Sequence, residues 1–171
     1  MMQIIPKKIR RMMCISIPKD CESSGDDIKW EDTCEFVFPV DGGRVIKVYD
    51  GDTITIAAKM PFKTMTGPIY RFSVRLNGIN TPEMKGKNVS EDEKNAALKA
   101  QEFVSNLILN KYVSLKNVKN EKYGRILADV YIENIHVNEL LLKEHYAVPY
   151  DGTTKKSPKS WLKYNITGEF T

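Results

Sequence analysis

The sequence predicts an α+β fold, a five-stranded Greek-key β-barrel of the OB type capped by helices. Two observations carry that expectation. Segments rich in β-branched and aromatic residues, in partial alternation between turn signals, fall on both sides of one long amphipathic stretch. The resulting order is three strands, a helix, two strands and a helix, so the helices are segregated instead of alternating as in βαβ units. A length of 171 residues, 42% of them hydrophobic and 28% charged, suffices for one buried core with an appendage.

Residues 1–35 show no sustained period of 2 or 3.6 and are expected to form an irregular N-terminal arm. The arm holds all three cysteines, Cys14, Cys21 and Cys34, so no disulfide can staple the rest of the chain. Their spacing does not match paired Cys-x-x-Cys zinc ligands, which leaves free thiols or a loose bridge. The basic run Pro6-Lys7-Lys8-Ile9-Arg10-Arg11 is compatible with a nuclear address, a polyanion contact or simple solubility. The apolar run after it is minimal, ends in Pro18 and lacks a small-residue cleavage site, so an intracellular location, cytoplasmic or nuclear, is expected. No run approaches the roughly eighteen apolar residues of a membrane span.

From Glu35-Phe36-Val37-Phe38 the texture changes, and a barrel domain is expected over residues 36–150. Gly43–Asp50, Thr53–Lys59 and Tyr70–Ile79 read as its first three strands, the second and third joined by a long hairpin loop bounded by Pro61 and Pro68. A helix follows. Ser90 with Glu93 three residues later makes a capping box, and Glu91, Asp92 and Glu93 suit the positive end of the helix dipole. Ala96, Ala100, Phe103, Val104, Leu107 and Ile108 trace one apolar face, which marks core. Strands over Lys111–Val118 and Arg125–Glu133 and a short helix over Val137–Tyr146 complete the domain, and residues 151–171 form a basic C-terminal tail.

Between the first two strands lies Asp50-Gly51-Asp52-Thr53. One reading is a solvated turn, since Asp and Gly are ordinary turn residues. The other is a pair of acidic oxygens on a rigid strand end that meets a hard cation, with Gly51 letting the backbone bend toward it. Three further stretches join it: Arg75-Leu-Asn-Gly-Ile-Asn-Thr-Pro-Glu83, Lys122-Tyr123-Gly124-Arg125, and Tyr150-Asp-Gly-Thr-Thr-Lys-Lys156. With these motifs at their separations, and the strands and helices in matching order, the chain resembles the thermonuclease, or staphylococcal-nuclease-like, family from about Arg44 to about Tyr150.

The resemblance implies a calcium-dependent endonuclease that hydrolyses phosphodiester bonds in DNA and RNA with little sequence specificity and leaves 3'-phosphate ends. It implies Ca2+ held by Asp52 and the Thr81 carbonyl, with Asp50 contributing through water. The family's remaining direct ligand is usually an aspartate, and here that position is Asn80. Arg75 and Arg125 match the arginines that face the reacting phosphate, where a planar guanidinium makes paired charge-assisted hydrogen bonds. Glu83 matches the residue that takes a proton from, or positions, the attacking water. Lys122 and Tyr123 match contacts to a terminal phosphate, and Tyr150 aligns more loosely with the same groove. Their plain readings are a surface charge and two packed aromatics. His136 and His145 match no functional position and read as structural. The segment from Tyr150 to Trp161 replaces the long third helix of the best-known members, so that helix is expected to be absent or much shortened, although its lysines could steer nucleic acid.

A second reading is a noncatalytic OB module that binds nucleic acid or a protein. Arg75, Glu83 and Arg125 favour the enzyme, while Asn80 favours degeneration of the metal site. The net charge of +4 and pI near 8.8 are compatible with a polyanionic partner and common without one. No obligate protein partner is expected.

Overall fold

The computed structural model describes residues 29–61 and 67–170, and these fall into two units, 29–36 and 37–170. The first unit holds a single 3-10 turn at Trp30–Asp32, closed by bonds from Thr33 N and Oγ1 to the Trp30 carbonyl at 3.2 and 2.8 Å. Cys34 is an exposed free thiol. Cys14, Cys21, the basic run and the centre of the long hairpin loop lie outside the described residues.

The second unit begins with β1 (Gly42–Val48), β2 (Thr53–Lys59), β3 (Ile69–Leu76) and a two-residue β4 (Ile79–Asn80). There follow α1 (Glu91–Ile108), β5 (Tyr112–Asn120), β6 (Ile126–Ile132), β7 (Ile135–His136), α2 (Val137–Lys143), β8 (Val148–Pro149) and α3 (Trp161–Thr167). The strands β3-β2-β1-β5-β6 are antiparallel neighbours, and a parallel pairing of β3 with β6 closes them into the expected five-stranded barrel. Closure follows from alternation: Val74 and Leu76 on β3 point inward, as do Ile126, Ala128, Val130 and Ile132 on β6. Bulges at Ile46 on β1 and around Asn117 on β5, where φ is 51°, bend the sheet enough to close.

The long helix begins where the sequence places it, with the Ser90 side chain accepting from Glu93 N at 3.1 Å. Ala96, Ala100, Val104 and Ile108 are buried, Phe103 and Leu107 partly so, and Ala97 joins the buried face. The reciprocal half of the capping box is not made, because the Glu93 carboxylate is engaged elsewhere, as described below. The third helix is present but is only seven residues long. Ser160 and the Asp92 carboxylate cap it, and Trp161 and Tyr164 bury against Ala96 and Val148 in a second, smaller core. The pairing of β4 with β8 leaves no mark in the sequence, since two-residue strands carry no periodicity. No described helix is long and apolar enough to cross a membrane.

One buried polar side chain fastens α2 to the barrel. Asn138, 3% exposed, accepts from Val130 N at 3.0 Å and donates to the carbonyls of Asn77 at 2.8 Å and Ala128 at 3.4 Å. Truncation would take this partner from the Val130 amide and the Asn77 carbonyl, while the Ala128 carbonyl keeps its bond from Asn77 N at 2.9 Å, so Asn138→Ala is expected to destabilise the fold by about 2–4 kcal/mol. Urea unfolding of the variant measures this, and a loss under about 1 kcal/mol would show that the groups find other partners.

Candidate functional site

The turn between β1 and β2 is tight because the amides of Tyr49 and Asp50 both bond the Thr53 carbonyl, at 2.9 and 3.3 Å. Within it, Asp50 Oδ1 accepts from Asp52 N at 3.2 Å. The Asp52 carboxylate is turned inward and only 4% of the residue is exposed. A charge so buried needs partners, and it has three. Arg75 Nη1 forms an ion pair with Oδ1, Thr53 Oγ1 donates to Oδ1 at 3.0 Å, and Thr81 N donates to Oδ2 at 3.2 Å. The β2–β3 register, which sets Thr53 opposite Arg75, delivers the guanidinium to this point, and its Nη2 also donates to the Ile79 carbonyl at 3.2 Å.

Asn80, 2% exposed, stands beside Thr81, and its Oδ1 is buried with no hydrogen-bond partner. A buried oxygen left without a donor is open to accept one, or to meet a cation. Burial pushes the Asp50 carboxyl up from 3.8 to about 6, and the neighbouring Asp52 charge adds to the shift. Asp50, Asp52, the Asn80 amide and the Thr81 carbonyl offer oxygen donors, the type that suits a hard cation and not a soft metal. Among the described residues no group of three or more His, Cys, Asp or Glu gathers in metal-binding fashion, so a cation here would lean on neutral oxygens as well as carboxylates.

Gly51 holds this arrangement together for a reason other than bending. Its φ is not in the left-handed region, but a Cβ there would lie 2.9 Å from Thr81 Cγ2 and 3.0 Å from Ala100 Cβ. The missing side chain lets the turn, the Thr81 loop and α1 meet. Helix α1 is the back wall: Gln101 Nε2 donates to the carbonyls of Val48 at 3.2 Å and Tyr49 at 2.8 Å, and Glu93 Oε1 accepts from Glu83 N at 3.1 Å. The Glu83 carboxylate itself is half-exposed and pairs with Lys155 Nζ.

Arg125 lies after the turn between β5 and β6, where Gly124 takes a φ of 75°. Its Nε bonds Glu121 Oε2 at 3.1 Å, and this bond raises its pKa above the ordinary value, with the charges of Asp52 and Asp50 adding to the effect. Tyr123 is 73% exposed, so it is no packed aromatic; Lys122 Nζ lies 5.0 Å and Arg125 Cζ 5.9 Å from its ring centre. Tyr150 is half-buried, with its ring centre 6.0 Å from Arg75 Cζ. His136 bonds Glu139 and stacks on Tyr131, and His145 lies against Tyr164, each on other elements. Asp52, Arg75 and Thr81 are thus in direct contact, Asp50 and Asn80 adjoin them, and Glu83 follows in the same loop. Gln101, Glu93 and Glu121 adjoin the site without being singled out by the sequence, where Glu93 reads only as a cap. Lys155 lies in the Tyr150–Lys156 stretch, whose lysines read as able to steer nucleic acid, and only the fold reveals its contact with Glu83.

A family model described as staphylococcal nuclease homologue matches residues 73–165. An uncharacterized protein of Methanocaldococcus jannaschii is 32% identical over 63% of this chain and 58% of its own length. An uncharacterized protein of Bacillus anthracis is 32% identical over 62% of this chain and 46% of its own, and an uncharacterized endonuclease of Escherichia coli 26% identical over 64% and 61%. The chain therefore spans about half the length of the curated relatives it matches.

The raised Asp50 value gives a signed expectation. A carboxyl titrating at about 6 in the fold and 3.8 when free binds its proton more tightly in the folded state. The stability this contributes is fully present below pH 3.8 and is lost as pH rises through about 6. With no divalent cation added, wild type should lose stability relative to Asp50→Asn across that window. Thermal melts of the two proteins at several pH values measure the difference, and parallel curves would show that Asp50 is not perturbed.

Proposed function

The chain belongs to the staphylococcal nuclease homologue family, and from that membership we propose that it is a calcium-dependent endonuclease cleaving phosphodiester bonds in DNA and RNA. The observation that carries this reading is the buried Asp52 carboxylate beside the orphaned Asn80 oxygen, with Arg75 in contact and Glu83 in the following loop. The name of the Escherichia coli relative supports the same direction.

Asp52, the Asn80 side-chain oxygen and the Thr81 carbonyl are the proposed calcium ligands, with Asp50 contributing through water. Bound calcium supplies Lewis-acid polarisation of a phosphoryl oxygen. Arg75 and Arg125 meet the nonbridging oxygens, where negative charge grows as phosphorus becomes five-coordinate. Both guanidiniums are already held by carboxylates, Asp52 and Glu121, so they enter the reaction oriented instead of searching for position. Glu83 positions the attacking water and takes its proton. Exposed Lys122 and Tyr123 grip a neighbouring phosphate, and Tyr150 flanks Arg75 on the strand path. Asn80, neutral where an acid would strengthen a cation site, is the one observation that favours a noncatalytic binding module instead. Cleavage of plasmid DNA and of RNA with calcium, but not with chelator, separates the two.

Glu83→Gln, Arg75→Lys and Arg125→Lys are each expected to lower turnover about a hundredfold or more while substrate binding changes far less. Single-turnover cleavage and binding isotherms check this, and near-normal turnover across the set would sink the catalytic assignment.

Asn80→Asp adds one charge to the ligand set and should tighten calcium binding by about one to two decades. Calcium titration of activity reads the shift. Unchanged or weaker calcium dependence would remove Asn80 from the ligand set.

A further inference from the structure

Each of three cations around the site is paired with a carboxylate: Arg75 with Asp52, Arg125 with Glu121 and Lys155 with Glu83. The first two guanidiniums are largely or partly buried. The third pair differs, because the Lys155 and Glu83 side chains are 48% and 45% exposed. An ion pair so open to water contributes little to stability, and a competing anion displaces it at low cost.

Lys155 is nevertheless not the end of a loose tail. Upstream, β8 pairs with β4, and Tyr150 N donates to the Gly78 carbonyl at 2.9 Å. Asp151 then closes a local turn, accepting from Thr153 N and Oγ1 at 2.9 and 2.7 Å. Downstream, Pro158 and Trp161 are buried, and Asp92 accepts from Ser160 Oγ at 3.0 Å and Trp161 N at 2.9 Å. Both ends of the segment are thus fixed to the barrel and to α1, and the lysine is delivered to Glu83 from a position 72 residues later in the chain.

We propose that Lys155 is a substrate-binding residue. In the free protein its ammonium neutralises the Glu83 carboxylate, and when a nucleic-acid strand enters it passes to a nonbridging phosphate oxygen. The proposal rests on the nuclease reading above. A phosphodiester approaching Glu83 meets the Lys155 ammonium there and not a bare carboxylate, so its approach is not opposed by repulsion between two anions. Lysine suits the exchange, since a flexible point charge can leave a carboxylate for a phosphate without the fixed fork that a guanidinium demands. Leaving also frees Glu83 to accept a proton from water. A plain surface pair would have none of these consequences.

The test uses the full chain and a fluorescent single-stranded oligonucleotide, with binding followed by anisotropy in chelator over a series of salt concentrations and cleavage followed separately with calcium. Lys155→Met should weaken binding about five- to tenfold and lower the salt-dependence slope by about 0.7, the signature of one lost phosphate contact. Lys155→Arg should bind within about twofold of wild type, and so should Lys159→Met, an exposed lysine of the same segment outside the site. Circular dichroism melts confirm that each variant is folded. If wild type cuts but Lys155→Met binds with unchanged affinity and slope, the Lys155 assignment fails alone. Tighter binding by Lys155→Met overturns it too, and marks the lysine as a plug. If wild type binds without cutting and the fivefold loss is seen, the nuclease reading fails while the Lys155 contact stands. Failure of wild type to bind overturns both.

Discussion

The pairing of the buried Asp52 carboxylate with Arg75 is the constraint on which the rest of this molecule's site depends. A carboxylate at 4% exposure cannot be left alone, because removing one member of a buried ion pair strands the other at a cost of about 3–5 kcal/mol. Satisfying it takes groups from three separate places: the start of β2 through Thr53, the end of β3 through Arg75, and the loop after β4 through the Thr81 amide. Those are also the places that carry the proposed ligands and the proposed general base. The interaction that settles the charge thereby sets where Asn80 and Glu83 stand.

Helix α1 makes this possible from behind. Its first turns present alanines inward, and Ala100 with Thr81 comes so close to the β1–β2 turn that a side chain at position 51 would force the neighbours to shift. Its polar edge does a second job. Gln101 ties down the entry to the acidic turn, Glu93 ties down the amide of Glu83, and Asp92 caps α3, which fixes the segment bearing Lys155. One helix thus ties together pieces of the site drawn from widely separated parts of the chain. A substitution on this polar edge would reach the site without touching any group that meets substrate.

Most of the barrel was legible because its strands bury one face and so alternate, as Ile126, Ala128, Val130 and Ile132 do on β6. The position of α1 was legible for the same reason, with its cap at Ser90. Two-residue strands such as β4 and β8 impose no period, so their pairing could not be read, although it holds Asn80 in place. The candidate site was legible as a set of motifs, and the β2–β3 register explains how Asp52 and Arg75 come together. Its second layer was not. Glu93 looks like the far half of a capping box, and only the fold shows its carboxylate turned to Glu83. Gln101 is an ordinary polar residue in sequence and Lys155 one of several lysines in a basic stretch, and their partners lie about 50 and 72 positions away.

On the proposed function, Asp52 is the charge around which both the site's structure and its chemistry are organised. Calorimetric titration of calcium into wild type and Asp52→Asn tests it most directly, since an amide keeps the shape and the hydrogen-bond acceptor while removing the charge. One calcium site is expected in wild type, with a loss of affinity of about a hundredfold or more in the variant. Equal calcium affinity in the two proteins, or no calcium binding by wild type, would contradict it.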